Sequence, residues 1–141
     1  MLYTPNQANA FRMVHTPATY AAAAVDGTYI SLVEHRSVTF VAGNGELDGN
    51  IVLAIVEATD SSGTSAQVLA GKAGTFTNGT DETRVGLITV NDFDVTLGYP
   101  WVTVRVTPAA TDSFFCIAVV SNPNKLPAQN TTALGVAFDD V

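Results

Sequence analysis

Two acidic residues, Glu57 and Asp60, lie between an apolar stretch, IVLAIV, and a segment rich in hydroxyl groups, SSGTS. Two carboxylates at this spacing could carry out acid–base chemistry or bind Ca²⁺. Asp and Ser, however, commonly form hydrogen bonds with the backbone of their own turn. The sequence also gives no reason to place another acidic segment beside this one. We therefore expect Glu57 to stand at the solvent end of a strand and Asp60 to stabilise the turn that follows.

A second pair of carboxylates, Asp92 and Asp94, occurs in the segment NDFD. Calcium-binding loops often carry Asp residues spaced two apart, so this loop is the best metal candidate in the chain. The segment lacks the glycine and the later bidentate glutamate of an EF-hand. We expect both residues to be ordinary turn acids, and no metal or cofactor is predicted.

The side chains that could act as nucleophiles or zinc ligands are His15, His35 and Cys116. These ligands are too few for a closed zinc site built of Cys and His alone. The segment GTSAQ lacks the final glycine of the G-x-S-x-G nucleophile elbow. Cys116 lies within FFCIAVV, where apolar neighbours raise the pKa of a thiol and keep it inert. No catalytic residue is predicted, and the chain is not expected to be an enzyme.

The composition disfavours several classes of protein. The net charge is −7 and the Lys and Arg residues are scattered, whereas nucleic-acid binding needs clustered basic side chains. No apolar run approaches the ~20 residues of a membrane helix, and no secretory signal is visible at the N-terminus. A single cysteine allows no disulfide within the chain, which favours a reducing cytoplasm or a particle assembled inside one.

Charged residues make up only 13% of the 141 residues, about half the share in a typical soluble domain. A surface with so few charges is poorly protected against association. We therefore expect other protein chains to cover much of it.

Short strands separated by turn signals fill the middle of the chain. Unbroken apolar runs at 51–58 and 113–121 predict central strands that are buried on both faces. Further strands are predicted at 28–33, 37–42, 84–90 and 101–108, with two short ones around a glycine break at 66–77. This pattern predicts a single all-β domain, with a jelly-roll-like β-sandwich core at residues 25–123.

The two ends, residues 1–24 and 124–141, are predicted to be extended arms. Pro5 and Pro17 interrupt any helix near the N-terminus, although a short strand around Phe11 is an open alternative. Apolar side chains in both arms favour docking on a neighbouring protein. The predicted partner contacts are Leu2, Tyr3, Phe11, Leu126, Leu134 and Phe138.

Three segments carry a resemblance to a known class of proteins. They are GTYISLVEHRSVTFVAGNGEL, VLAIVEATDSSGTSAQVLAGKAGTFT and ITVNDFDVTLGYPWVTVRVTPAATDSFFCIAVVSNP. Their order over residues 25–123 resembles the small virion proteins of tailed bacteriophages that serve as capsid decoration or cement proteins. The resemblance implies a β-sandwich on the outer surface of the head that locks neighbouring major capsid proteins together, with no catalytic residues.

The sequence thus predicts a non-enzymatic decoration protein on the capsid exterior of a virion assembled in the host cytoplasm. Its expected partners are the major capsid protein and further copies of itself, as a dimer or trimer, with no nucleic acid and no membrane. Two alternatives stay open. One is a carbohydrate- or receptor-binding virion module that uses Tyr99, Trp101, Asp92 and Asp94. The other is a structural component of the tail or of the head–tail connector.

Overall fold

A computed structural model describes residues 9–33 and 35–123. Nine strands and no helix occur in these two ranges, so none of these residues forms a helix of the length and apolarity needed to cross a bilayer. The strands are β1 (Asn9–Tyr20), β2 (Val25–Asp26), β3 (Ile30–Ser31), β4 (His35–Asn44), β5 (Ile51–Ala58), β6 (Gln67–Phe76), β7 (Val85–Asn91), β8 (Trp101–Pro108) and β9 (Asp112–Pro123).

The strands form two antiparallel sheets, and the predicted all-β sandwich is confirmed. The first sheet has the order β1-β9-β4-β7. The second has the order β2-β8-β5-β6, with the short β3 also paired to β8. The jelly-roll topology stays a prediction.

The core lies between the two sheets and is built mainly by alternation of inward and outward residues. Along β8, Val102, Val104 and Val106 are completely buried, while Trp101 and Arg105 on the other face are partly exposed. The inner face of the first sheet contributes Val38, Phe40, Ala42, Val90, Phe114, Cys116, Ala118 and Val120.

Burial of the two unbroken apolar strands differs from the expectation. Both are central, as predicted, but β9 is fully buried on one face only, and Phe115, Ile117 and Val119 on its other face are half-buried. In β5, Val52 is 44% exposed. An apolar run cannot by itself distinguish a strand covered on both sides from one with an uncovered apolar face.

Three other elements differ from the sequence predictions. Residues 28–33 give only the short β3, preceded by β2, and residues 66–77 give one strand instead of two. Gly71 has a φ of +79°, and the pairing of β5 with β6 shifts register between Ala54 and Val56. The glycine therefore bends a continuous strand instead of ending it.

Residues 9–20, which were assigned to the N-terminal arm, form the edge strand β1. This strand pairs with β9 from Asn9 opposite Ser121 to Tyr20 opposite Asp112. The register shifts on both sides of His15, which lets the strand pass Pro17 without losing its partner. Phe11 was predicted to lie either in a docking arm or in a short strand, and it lies in the strand. Residues 1–8 and 124–141 lie outside the described ranges, so the division into arms stays a prediction there.

A buried histidine joins β1 to the second sheet. The Nε2–H of His15 donates to the carbonyl oxygen of Val104 at 2.7 Å, and its ring packs edge-on against Tyr20 and Phe114. The backbone N–H groups of Gly27 and Thr28 complete the junction by bonding the carbonyls of Val104 and Val14, each at 3.1 Å. One flank of the sandwich is closed in this way.

Candidate interaction surface

The sequence predicts that Glu57 stands at the solvent end of a strand, but the structure buries it. It is 1% exposed and shares the inner side of β5 with Leu53 and Ile55, because residues alternate along a strand. Its Oε1 accepts from Gln67 Nε2 at 2.6 Å, and its Oε2 accepts from the backbone N–H of Thr96 at 2.8 Å. The expectation is wrong because two donors from distant segments satisfy the buried carboxylate, which thereby ties β6 and the 92–100 connection to β5.

Asp60 has the turn role that its sequence predicts. Its Oδ1 accepts from the backbone N–H of Ser62 at 2.9 Å and of Thr64 at 3.2 Å. Hydrogen bonding from the Thr64 side chain, followed by these backbone groups, lowers the pKa of Asp60. The carboxylate therefore serves the turn between β5 and β6.

Asp92 and Asp94 lie in the turn that follows β7. The Oδ2 of Asp94 accepts from the backbone N–H of Asn91 at 2.8 Å and lies 3.1 Å from the Lys72 ammonium. The Asn91 backbone bond is the largest cause of the lowered pKa of Asp94. In residues 9–33 and 35–123, no group of three or more His, Cys, Asp or Glu side chains is placed to hold a metal ion.

In the part of the chain that the structure describes, His15, His35 and Cys116 do not come together as a catalytic set. Cys116 and His15 are register partners across β1 and β9, but burial raises the pKa of the Cys116 thiol to about 12. Burial also lowers the pKa of His15, so this pair does not form a thiolate and an imidazolium. His35 starts β4 at the far end of the same sheet.

The feature that stands out is the side of the first sheet that faces away from the core. Cross-strand register places eleven outward residues of four adjacent strands in rows, and we call this set the outer face. The outer face comprises Phe11 and Met13 of β1, Phe115, Ile117 and Val119 of β9, Thr39, Val41 and Gly43 of β4, and Val85, Leu87 and Thr89 of β7.

The outer face has no charged side chain, and its exposure rises toward β7. Leu87 and Val85 are 67% and 62% exposed. The hydroxyl groups of Thr39 and Thr89 bond each other at 2.9 Å, so part of their hydrogen-bonding capacity is met within the face. Exposed apolar side chains that lie together in this way are typical of interaction surfaces.

One aromatic ring of the outer face packs directly against the backbone of β4. The Phe115 ring occupies the space in which a Cβ on residue 43 would stand, so Gly43 allows the ring to lie against β4. A side chain at this position would force the ring outward. The glycine therefore contributes to the shape of the surface as well as to its chemistry.

The opposite side of the sandwich is different in character. There the Arg105 guanidinium donates to both carboxylate oxygens of Asp26, at 2.5 and 2.9 Å, and this hydrogen bonding lowers the pKa of Asp26. The Tyr29 hydroxyl donates to the same carboxylate at 3.3 Å. Within residues 9–33 and 35–123, the outer side of the second sheet thus carries an ion pair, whereas the eleven residues of the outer face carry no charge.

Comparison with known proteins bears on the fold. No family model matches the sequence, and no curated protein matches it. Among solved structures, the SPBc2 prophage-derived protein YomS aligns with a TM-score of 0.53 at 14% identity, covering 86% of this chain and 99% of that one. This likeness shows a shared fold.

Two other similarities are weaker. A structure of the disulfide-linked pili that form Bacillus endospore appendages aligns with a TM-score of 0.45 at 15% identity, covering 88% of this chain and 98% of that one. A protein of infectious bursal disease virus, Gt strain, aligns with a TM-score of 0.25 at 8% identity, covering 90% of this chain and 46% of that one. Neither likeness carries an argument at these scores.

Of the six predicted partner contacts, the structure describes Phe11, which lies half-buried on the outer face. The other five, Leu2, Tyr3, Leu126, Leu134 and Phe138, lie outside the described residues. The sequence did not single out Leu87 or Ile117: the strand of Ile117 was predicted to be buried on both faces, and 84–90 was predicted as a strand with no assigned face. The segments VGLITV and FFCIAVV contain no charged residue. This lack of charge on either face of the strand is the signal that could have indicated an exposed apolar face.

Proposed function

We propose that this chain is a non-enzymatic structural component of a virion, a decoration or cement protein that binds the outside of a phage head. In this proposal the outer face docks on major capsid proteins and holds neighbouring copies together. The observation that carries the proposal is the uncharged apolar outer face, which has no role within the sandwich. The resemblance in sequence to phage decoration proteins supports the choice of partner.

The size of the outer face explains why the terminal segments matter. Four strands about 4.8 Å apart and five residues long cover roughly 300 Å². A stable protein–protein interface buries about 800 Å² on each partner. The outer face alone is therefore too small for tight binding, and we infer that residues 1–8 and 124–138 supply the rest.

The position of the chain ends is compatible with this division of roles. Asn9 lies opposite Ser121 at the start of β1, and Pro123 lies opposite His35 at the end of β9. Both terminal segments therefore leave the same end of the first sheet, next to the outer face. From there Leu2 and Tyr3 on one side, and Leu126 on the other, can extend the apolar contact.

Symmetry multiplies these modest contacts. A protein that occupies equivalent positions all over a shell can be joined to several capsid proteins at once, and linked sites raise avidity without any new contact. We propose that the chain also forms dimers or trimers, because an oligomer links several binding sites and raises avidity in the same way. The proposed location is the capsid exterior, with assembly in the host cytoplasm.

Binding to isolated heads tests the proposal. Heads that lack this chain are mixed with the purified protein and sedimented, and the bound copies per capsid protein are counted by mass spectrometry. Wild type is expected to bind in large numbers. Binding of only a few copies, or of a few dozen, would favour the tail or connector alternative, and no binding would rule out the decoration role.

A matched pair of variants tests the surface. Leu87→Asp puts a charge in the outer face, whereas Val52→Asp puts the same charge on the outer side of the second sheet, where Val52 is 44% exposed. Burying an unpaired charge costs several kcal/mol, so Leu87→Asp is expected to weaken binding at least ~10-fold. Val52→Asp is expected to bind as wild type does. Equal binding by both variants would place the contact elsewhere.

The structure gives no observation in favour of the glycan-binding alternative. Asp94 is engaged by Asn91 and Lys72, and Trp101 and Tyr99 are half-buried. A glycan array with wild type and Trp101→Ala tests that alternative directly.

A further inference from the structure

The strand β7 is an edge of the first sheet, and its backbone is open on the side away from β4. Residues of an antiparallel pair alternate between hydrogen-bonded and non-hydrogen-bonded positions. The N–H of Asn44 donates to the carbonyl oxygen of Arg84 at 3.1 Å, so the even-numbered residues of β7 bond β4. The backbone groups of Val85, Leu87 and Thr89 therefore point away from the sheet.

Contacts within the molecule limit this open stretch at both ends. At one end, Lys72 Nζ donates to the carbonyl oxygen of Thr89 at 3.0 Å. At the other end, Thr83 has a φ of +55°, and its N–H donates to a carbonyl inside the molecule. Among the described residues, none bonds the outward backbone groups of Val85 or Leu87. These two residues form a short template for another strand.

The other edge strands carry features that protect them from pairing with another chain. The strand β1 contains Pro17 and shifts register around His15, and β2 has only two residues. The strand β6 is bent at Gly71, which has a φ of +79°, and carries the charge of Lys72. By contrast, β7 pairs with β4 without a register shift, and residues 85–90, VGLITV, have no charge. Within the described residues, β7 is the edge best suited to accept a strand.

The chemistry of this edge suits a second copy of the same chain. Two identical strands that pair around a two-fold axis place each residue opposite itself or a near neighbour. A charged residue in such a strand would meet a like charge, which is destabilising, and residues 85–90 contain none. Val85 and Leu87 are 62% and 67% exposed, so pairing would bring apolar side chains of the two copies together.

We propose that two copies of this chain pair antiparallel along β7, with Gly86 on the two-fold axis. In this register Val85 of each copy lies opposite Leu87 of the other, so open backbone groups meet open groups. The pair at the axis is non-hydrogen-bonded, with Cα atoms about 4.5 Å apart. A glycine at this position suits the close approach, since it adds no side chain to the contact.

The pairing joins the first sheets of the two copies into one continuous sheet. The apolar outer face would then grow from roughly 300 Å² to roughly 600 Å², which approaches the about 800 Å² that each partner buries in a stable interface. This inference deepens the dimer of the proposed function by naming its contact, and it rests on that dimer. Its tests use the purified chain without capsids, so edge pairing and capsid binding can fail separately.

The dimer is expected to be weak in solution. Two short strands that meet edge to edge bury far less surface than a stable interface needs. Pairing therefore requires a high protein concentration, or copies that are held side by side on a surface, where the effective concentration is high.

Disulfide trapping between two different variants tests the contact and its register. Opposite residues in a hydrogen-bonded pair have Cα atoms about 5.5 Å apart, within the range of a disulfide, whereas diagonal neighbours lie about 7–8 Å apart. A concentrated mixture of Val85→Cys and Leu87→Cys is expected to give at least ~10-fold more disulfide-linked heterodimer than a mixture of Val85→Cys and Ile117→Cys. Both substituted positions of β7 are exposed, and the native Cys116 is buried.

Two results would overturn the proposal. Equal cross-linking in the two mixtures would show that the copies stack face to face, because Ile117 lies on the outer face two strands away from β7. Leu87→Cys alone that cross-links as well as the mixture would place Leu87 on the axis and refute the register.

Sedimentation velocity tests the dimer without cysteine chemistry. The weight-average sedimentation coefficient of wild type is expected to rise with protein concentration. Leu87→Lys is expected to stay at the monomer value, because a lysine on the edge opposes pairing. Val52→Lys adds the same charge to the outer side of the second sheet and is expected to behave as wild type does. A constant coefficient for wild type, or an equal rise in all three proteins, would contradict pairing along β7.

Discussion

His15 Nε2 lies 2.7 Å from the carbonyl oxygen of Val104, so a side chain of β1 is hydrogen-bonded to the backbone of a central strand of the other sheet. Only a protonated Nε2 can donate to a carbonyl, and a neutral ring meets this requirement with Nδ1 unprotonated. Burial lowers the pKa of His15, because the charged ring would lose its hydration.

This relationship predicts a loss of stability in mild acid. The unfolded chain binds a proton near the ordinary histidine pKa, whereas the folded chain does so only at a lower pH. The full contribution of neutral His15 is therefore present above pH ~6.5 and declines as pH falls toward the lowered pKa. Urea unfolding between pH 7.5 and 5 checks this prediction. His15→Phe is expected to flatten the profile, and an unchanged profile in this variant would contradict the assignment.

Glu57 provides a second prediction, since its carboxylate accepts from both Gln67 and Thr96. Glu57→Ala removes the acceptor of two partly buried hydrogen bonds and opens a cavity at a buried position, so we expect a loss of about 2 kcal/mol in the free energy of unfolding. Glu57→Gln keeps the volume but turns one acceptor into a donor, which is expected to cost about 1–2 kcal/mol. Glu46→Gln in an exposed loop serves as the control. An unchanged midpoint for Glu57→Ala would contradict the buried linkage.

A pair of glycines separates close packing from the general effect of adding a methyl group. A Cβ on residue 27 would lie 2.5 Å from Val14 Cγ1 and 2.8 Å from His15 Nε2. Gly27→Ala is therefore expected to destabilise the sandwich by about 1–3 kcal/mol. A Cβ on residue 74 meets only Ile88 Cδ1, at 3.8 Å, so Gly74→Ala is expected to be neutral or slightly stabilising. Thermal unfolding of both variants compares them, and the opposite ranking would disprove the tight junction.

Thr103 is completely buried in β8, and no described residue bonds its hydroxyl. Since an unpaired buried hydroxyl costs free energy, Thr103→Val should be neutral or raise stability by about 1 kcal/mol. Thr107→Val, at an exposed position of the same strand, is the control for β-propensity. A destabilisation of more than 1 kcal/mol by Thr103→Val alone would show that the hydroxyl has a partner.

Some elements follow directly from the sequence. The bounds of β5 and β8 are those predicted, because an unbroken apolar run and a strict alternation both end at turn-forming residues. For β1 the sequence offered only a short strand around Phe11 as one alternative, because Pro17 breaks the pattern, and the register shifts around His15 extend the pairing to Tyr20. Local patterns do not reveal such shifts, which depend on the partner strand.

The candidate surface was harder to predict than the strands. Glu57 is buried through a donor at Thr96 on another segment, and no local pattern shows that pairing. Likewise, the half-buried outer side of β9 has the same residue types as its inner side. Which side of a strand faces the core depends on the position of the opposite sheet, and that is a property of the whole fold.

The contact between Gly43 and the Phe115 ring has an evolutionary consequence. The two positions lie on different strands and far apart in sequence. A larger residue at 43 alone would clash with the Phe115 ring, and a smaller residue at 115 alone would leave a gap above Gly43. Homologous chains are therefore expected to change them jointly: a methyl-bearing residue at 43 should accompany a smaller, non-aromatic residue at 115. Such covariation would record selection on the smoothness of this plane, separately from its hydrophobicity.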